Sequence, residues 1–298
     1  MSLFLCGCGG KPLSEREIVR GILFTRQQAS YSVCLVLANQ SEDSSGSPQD
    51  SIVAAQGTTP AQALQNAEEC LYGDVYYGLL DLAVLPADAD WSTAQEIGSL
   101  LYENAQPAPE LSVFLLDTAP IESWAEQGST LYIRMKEIET TYKVHCGLQQ
   151  LFSQQSVCAI PADSSSGGYD FVLLAREAAP IRCHDLSGAQ LAAALCGQTN
   201  TLRGTFAAGQ AVCESRVQVL VDDSTVQLHL YDTTLKSLNG TSDDLQVLLR
   251  EELKRSFLSL SQATQNAVAD PFHLQFWSAC TYGVQAPTAE AQLEVIFD

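Results

Sequence analysis

Thiols and imidazoles are the side chains best able to do chemistry in this chain, and two runs combine them: Cys183-His184-Asp185 and His145-Cys146. A cysteine beside a histidine offers an activated nucleophile or two metal ligands. Structural zinc sites, however, use paired ligands of the form C-x2–4-C with H-x3–5-H. The histidines here are His145, His184, His229 and His273, and no such pair exists. A Cys-His dyad is a spatial arrangement, so an enzyme acting through Cys183, His184 or His145 stays open as one reading. The carboxylate pairs Glu68-Glu69, Asp222-Asp223 and Glu251-Glu252 read as turns or solvated helix faces. Gly167-Gly168 and Gly7-x-Gly9-Gly10 lie outside the strand–GxxxxGK–helix context of a phosphate loop, and no GxSxG elbow occurs. No catalytic residue, cofactor-binding residue or metal ligand is assigned, and no cofactor is expected.

A different thiol has a definable chemistry. Leu5-Cys6-Gly7-Cys8 resembles the lipobox of bacterial lipoproteins, in which a leucine, one residue and a small residue precede an acylated cysteine. On that reading residues 1–7 are the remnant of a signal peptide, Cys6 is cut away with it, and Cys8 is the lipid attachment site. A secretory signal has a positively charged start and an apolar core of about 7–15 residues. Only a stub precedes Cys8, and no Lys or Arg comes before Lys11. Either the true start lies upstream, or Cys8 falls by chance in a short apolar tip.

The remaining composition narrows the function classes. A net charge of −20, from 35 acidic against 15 basic residues, repels phosphate backbones, so nucleic acid is not an expected partner. Its plainest consequence is solubility. Apolar residues make up 46% of the chain, an ordinary globular content. No apolar run approaches the roughly 18 residues that span a bilayer, so membrane attachment has to come through the N-terminus or a partner. Ten cysteines are present, but beyond the tip they are widely spaced without a CxxC pair. Most lie in apolar surroundings, where Cys behaves as a small hydrophobe; free, buried thiols are expected.

Two strands are expected at 17–24 and 30–38, with Tyr31, Val33, Leu35 and Leu37 on one face of the second. A polar loop at 40–51 leads to a short strand at 52–56. Thr59 caps the next helix and Pro60 fits its first position; Ala63, Leu64, Ala67, Cys70 and Leu71 form its apolar face. The run 75–85 is almost continuously apolar, as in a strand covered on both sides. A helix near 91–103, a strand at 111–116 and a short helix after Pro120 follow. Together these form a mixed α/β domain over 8–125.

The remainder, 126–298, is expected to be a second domain, with a middle portion 126–185 and a sheet plus long helix over 186–298. Leu131–Glu139 reads as helix or strand, with a helix near 142–154 and a strand at 169–176 beyond a Ser/Gly loop. Ser187 can cap a short helix that Gly197 stops. Val217, Val219 and Val221, then Val226, Leu228 and Leu230, alternate with polar neighbours across a turn at 222–224, an antiparallel hairpin with one packed face. Leu245, Leu249, Leu253, Phe257 and Leu260 mark a long helix over 242–266, with Thr241-x-x-Asp244 resembling a capping box. Leu293, Val295 and Phe297 mark a last strand at 291–297. The fold class is α+β, a mixed α/β region followed by an antiparallel sheet packed on a long helix.

Read end to end, this order resembles the Ger(x)C family, the lipoprotein subunit of bacterial spore nutrient-germinant receptors. The resemblance rests on Gly7-Cys8, Glu15-Arg16-Glu17, the strand Ile18-Val19-Arg20-Gly21-Ile22, and Gly57-Thr58-Thr59 leading into a helix. It continues through Tyr77-Gly78-Leu79-Leu80-Asp81-Leu82-Ala83-Val84, Leu186–Cys196, Val212–Tyr231, Leu245–Ala267 and Asp270-Pro271-Phe272-His273-Leu274-Gln275-Phe276-Trp277. Departures are Gly9-Gly10 in place of the family's Trp-Asp, Leu79 in place of its His, a shorter chain and a more acidic one.

The resemblance implies a non-enzymatic protein, held on the outer face of the spore inner membrane by acyl chains on Cys8. Its partners would be a multi-spanning integral subunit and a permease-like subunit of a receptor that answers nutrients such as amino acids or sugars; the nutrient is a possible ligand. A single acyl chain anchors only marginally, so stable attachment needs more than one. A generic exported lipoprotein for ligand binding or assembly is the alternative, and a Cys/His-dependent enzyme is the third reading.

Overall fold

The structure is a computed structural model, and it describes residues 16–27, 30–38, 51–116, 121–152, 157–163, 169–176, 178–183, 186–206, 209–222, 225–239, 244–266 and 292–298. The N-terminal octet, the 40–50 loop, Gly167-Gly168, His184-Asp185, Thr241 and His273 lie outside these residues.

The fold is α+β, with two sheets. The first contains β1 (Arg16–Gln27), β2 (Ser30–Leu37), β3 (Ser51–Gly57), β4 (Asp74–Tyr76), β5 (Leu82–Pro86), β6 (Ser112–Leu116), β7 (Val157–Asp163), β8 (Tyr169–Ala175) and β9 (Ile181–Cys183). Its order is β3-β2-β1-β5-β6-β7-β8-β9, with β4 pairing beside the start of β1. The middle strands β1, β5, β6 and β7 are parallel, while β2 and β3 on one side and β8 and β9 on the other run as antiparallel meanders. The second sheet has order β10-β11-β12-β13, from β10 (Thr201–Phe206), β11 (Gly209–Asp222), β12 (Thr225–Asn239) and β13 (Gln292–Phe297).

Alternate residues of the central strands feed two different cores, which is why these strands read as continuous apolar runs. Val33, Leu35, Ala83, Leu85, Val113 and Leu115 join α1 (Pro60–Glu69), α2 (Trp91–Asn104) and a 3-10 turn at Leu148–Phe152 on one face. Cys34, Val36, Leu82, Val84, Phe114 and Leu116 join α3 (Ile121–Tyr142) and α4 (Leu186–Leu195) on the other. That second core runs on without a break into α5 (Leu245–Asn266) and the inner face of the second sheet, through Leu249, Leu253, Phe257, Leu228, Leu230 and Val295.

The helix α4 joins the two sheets. Its residues 187–194 are all buried, and it packs on β7 and β8 on one side and on β10 and α5 on the other. A ten-residue helix with this much alanine is marginal alone; burial all round holds it. Its end is a Schellman motif: the Gln198 N–H donates to Ala193 O and the Gly197 N–H to Ala194 O, with Gly197 at φ +71°. Gln198 then acts as a strand segment, its side-chain amide accepting from Ala159 N (2.7 Å) and donating to Ala159 O (2.6 Å) of β7.

Several expectations need correction. The run 75–85 is two strands, because β4 pairs with Arg16–Ile18 and β5 with Gly21–Leu23, and Tyr77–Asp81 loops out between them. The short helix after Pro120 is the 22-residue α3, which includes Leu131–Glu139. Among the described residues of 142–154, α3 ends at Tyr142 and no second α-helix follows: Lys143 adopts φ +52°, the chain extends, and one 3-10 turn comes after it. Ser187 lies inside α4 with a fully buried side chain rather than capping it. The division expected near 125 falls inside the nine-stranded sheet, which continues through β7–β9 before the second sheet begins beyond 186. Strands β7, β9 and β10 have no counterpart among the expected elements, and the hairpin β11–β12 is longer than the alternation shows.

Candidate functional site

Among the described residues, the densest set of interacting charges surrounds α3, at the end of the sheet where β5 and β6 begin. It starts from a bulge in β1. The register against β2 slips between Val19 and Gly21, so Arg20 is the extra residue, and a bulge of this kind turns a side chain out of the ladder. Gly21 beside it has no Cβ, and one placed there would come within 3.2 Å of the Tyr132 ring. The phenol of Tyr132 therefore stands over the strand. It accepts from Arg20 Nη2 (2.8 Å) and donates to the Asp81 carboxylate (2.9 Å), and the Arg20 guanidinium lies 4.6 Å from its ring centroid.

Asp81 ends the loop before β5, its N–H donating to Arg20 O. One turn along α3, Lys136 lies 3.9 Å from Asp81 and 2.6 Å from Glu139. Glu139 accepts from Ser112 Oγ (2.5 Å), on the first residue of β6, and lies 2.7 Å from His145 Nδ1. His145 is delivered by the extended segment after Lys143, which bridges β6 at Ser112↔Gly147. An unbroken chain thus runs Arg20–Tyr132–Asp81–Lys136–Glu139–Ser112/His145.

Serine, histidine and a carboxylate meet here, yet the geometry is not that of a nucleophile relay. A relay uses both ring nitrogens, one for the serine and one for the acid. Ser112 Oγ is 3.4 Å from Nδ1, the same nitrogen that faces Glu139. Ser112 is also only 3% exposed, with its hydroxyl donated to the carboxylate. Burial would raise Glu139, but hydrogen bonds from His145, Lys136 and Ser112 outweigh it and bring the carboxyl down to about 2. An acid this strong is ionised throughout the physiological range and is a poor proton acceptor. Burial, followed by the adjoining Asp81 carboxylate, pushes the Tyr132 phenol up to about 12. The chain is suited to holding α3 on the sheet.

The residues singled out by sequence fare differently. Cys8 lies outside the described residues. Of Cys183-His184-Asp185 only Cys183 is described; it borders a cavity of about 240 Å³ with Arg182, Ser256 and Leu260. His145 enters the polar chain, while Cys146 next to it is buried in the opposite core. Contact with Cys146, then burial, raises the Cys158 thiol; burial pushes Cys34 and Cys213 up to about 12. Such thiols stay protonated and inert, in line with the free, buried thiols expected. Cys70 is exposed at the end of α1, its thiol donating to Asn66 O. Glu68 accepts from the Tyr77 hydroxyl and Glu69 from Gln65. Glu252 departs from the solvated face expected of it, being 7% exposed beside Arg255 at 2.6 Å. His229 stacks on Tyr231 and lies 2.9 Å from Asp298.

Sequence reading missed Arg20, Asp81, Ser112, Tyr132, Lys136 and Glu139. Two signals were present. Asp81 is the one charge in an otherwise apolar run, and a carboxylate in such a place needs a partner. Tyr132, Lys136 and Glu139 repeat at helical spacing, but only on a segment that also reads as a strand.

A second feature is an open cleft of about 650 Å³ between the first turn of α2 (Asp90, Trp91, Gln95) and the β8–β9 connection (Arg176, Pro180). Its carboxylates are committed: Asp88 to Arg26 at 2.6 Å, and Asp90 to the Thr93 N–H it caps, the bond that lowers its pKa. Among the described residues no group of three or more His, Cys, Asp or Glu is placed to hold a metal, and no described helix is long and apolar enough to cross a membrane. No protein-family model, curated protein or solved structure matches the chain.

Proposed function

We propose that this chain is a non-enzymatic, lipid-anchored subunit of a spore nutrient-germinant receptor, attached through Cys8 and assembled with integral membrane subunits. The observation that carries the reading is the order of elements around the motifs that resemble the family. Gly57-Thr58-Thr59 has a physical reason for its form: a Cβ on Gly57 would collide with Ala63 N of α1. Thr58 donates through N–H and hydroxyl to Gln62 Oε1, and Thr59 Oγ1 accepts from Gln62 N, so the turn packs directly against the helix it starts. The hairpin β11–β12 and the helix α5 then follow in the order of the motifs Val212–Tyr231 and Leu245–Ala267, while Asp270–Trp277 lies outside the described residues. The charged groups gathered at α3 are spent on one another, which suits a scaffold.

The test is acyl labelling of the full gene, expressed with its native upstream sequence in a spore former fed an alkyne fatty acid. Labelled protein in the membrane fraction is expected, with label and partitioning both lost in Cys8→Ala. Unchanged partitioning of the variant would sink the anchor. Deleting the gene should abolish germination on a nutrient while leaving germination by a non-nutrient trigger intact. Expression in vegetative cells, with normal nutrient germination after deletion, would move the chain to the general exported lipoproteins.

A further inference from the structure

We infer that the connections on either side of β4 form the surface that rests on the lipid headgroups, so that the end of the nine-stranded sheet where β1 starts faces the membrane. The inference rests on the reading of Cys8 as the lipid site. Eight residue steps separate Cys8 from Arg16, the start of β1, and they reach at most about 29 Å. The first residue of β1 is therefore tied within that distance of the bilayer. The strand then carries the chain about 33 Å from Arg16 to Arg26, and Arg26 pairs with Asp88 at the opposite end.

Two of the most exposed large apolar side chains flank β4 at the tethered end: Tyr72, fully exposed, and Leu79, 54% exposed. Their positions are built. β4 is registered on β1 as Arg16↔Asp74 through Ile18↔Tyr76, so both connections are fixed to the strand that emerges from the tether. The Arg16 guanidinium lies 5.2 Å from the Tyr76 ring centroid. Gly78 sits so close to that ring that a Cβ would meet the Tyr76 hydroxyl, and the next residue, Leu79, is exposed. Tyrosine suits this place, since its ring favours the boundary between headgroup and acyl chain. Two such side chains would not hold a protein on a membrane. A lipid anchor makes their contact intramolecular, so they need only orient what is already there. The polar chain under α3 lies near the same end, where Asp81 precedes β5 and Ser112 begins β6.

The test is photo-crosslinking of acylated protein, produced with its native upstream sequence and placed in vesicles of equal parts phosphatidylethanolamine and phosphatidylglycerol. p-Benzoylphenylalanine replaces Tyr72, Leu79, Asp88 or Leu258 one at a time; all four are exposed, so folding is not at stake. The mass of the Cys8 peptide is read first. With Cys8 acylated, phospholipid adducts several-fold more abundant at Tyr72 and Leu79 than at Asp88 and Leu258 are expected. Equal or greater adducts at Asp88 or Leu258 overturn the orientation and leave the anchor standing. Protection that requires co-reconstituted integral subunits, without lipid adducts in pure vesicles, overturns the lipid contact in favour of a protein one. An unmodified Cys8 removes the tether and overturns both.

Discussion

The two longest helices among the described residues, α3 and α5, are each 22 residues and are attached in opposite ways. α5 buries Leu249, Leu253, Phe257 and Leu260, spaced four, four and three residues apart, against α4 and the second sheet. α3 buries Tyr132, Met135 and Ile138, and adds beside them the chain of charges from Arg20 to His145. Apolar burial is indifferent to pH. A charge chain is conditional on the ionisation of its members. The molecule therefore has one attachment that tracks its surroundings and one that does not.

The largest effect is expected on the apolar side. Phe257→Ala empties a fully buried ring from the stripe that joins α5 to α4 and β12. It should cost about 3–5 kcal/mol, measured by urea denaturation, and the cost should be the same at neutral and mildly acid pH. A loss that grew or shrank with pH would show that α5 also depends on charge, with the buried Glu252 as the first suspect.

The next effect should behave differently. Glu139 has its pKa lowered from 4.5 to about 2 in the folded protein. A group depressed in this way contributes stability that is fully present above its unfolded pKa and is lost as pH falls toward its folded one. The full linkage value is about 3 kcal/mol, reduced to about 2 by solvent screening of a partly exposed pair. Glu139→Gln should therefore lower stability by about 2 kcal/mol at neutral pH. The gap from wild type should close as pH falls from 4.5 toward 2. A gap that stayed constant would mean that Glu139 acts through packing instead.

The same contrast explains what could be read in advance. The stripe of α5 and the alternation of Val217–Val221 with Val226–Leu230 each bury one face, so period alone locates them. In the nine-stranded sheet both faces are covered, and an apolar run such as 75–85 shows no period and no break. The turn within it depends on Arg20 bulging from a different strand. α3 was ambiguous because its inner face mixes Tyr132, Lys136 and Glu139 with Met135 and Ile138, which no single apolar stripe describes. The site itself was least legible, since Ser112 and His145 reach Glu139 from separations of 27 and 6 residues, set by how β6 and the 144–147 segment are laid side by side.

A smaller effect isolates one link of the charge chain. Tyr132→Phe keeps the buried ring over Gly21 and removes the hydroxyl between Arg20 and Asp81. The Asp81 side chain is 47% exposed, so water can replace the lost donor. The cost should be about 1 kcal/mol, read by denaturation. A loss as large as that of Glu139→Gln would mean that the chain is cooperative and fails as a unit.

The smallest expected effect is the sharpest control on the comparison. Leu258 and Ile133 are 56% and 52% exposed, and each is next in sequence to a buried anchor, Phe257 and Tyr132. Glutamine is a good helix former and adds no charge, so Leu258→Gln and Ile133→Gln change neither helix propensity nor the field around Lys136 appreciably. Both should stay within about 0.5 kcal/mol of wild type. If Leu258→Gln is silent where Phe257→Ala is severe, the cost at 257 belongs to the buried face and not to a weakened helix. If Ile133→Gln is instead as costly as Tyr132→Phe, then the outer face of α3 has a partner of its own. The two helices would then differ in what they carry outward as well as in how they are held.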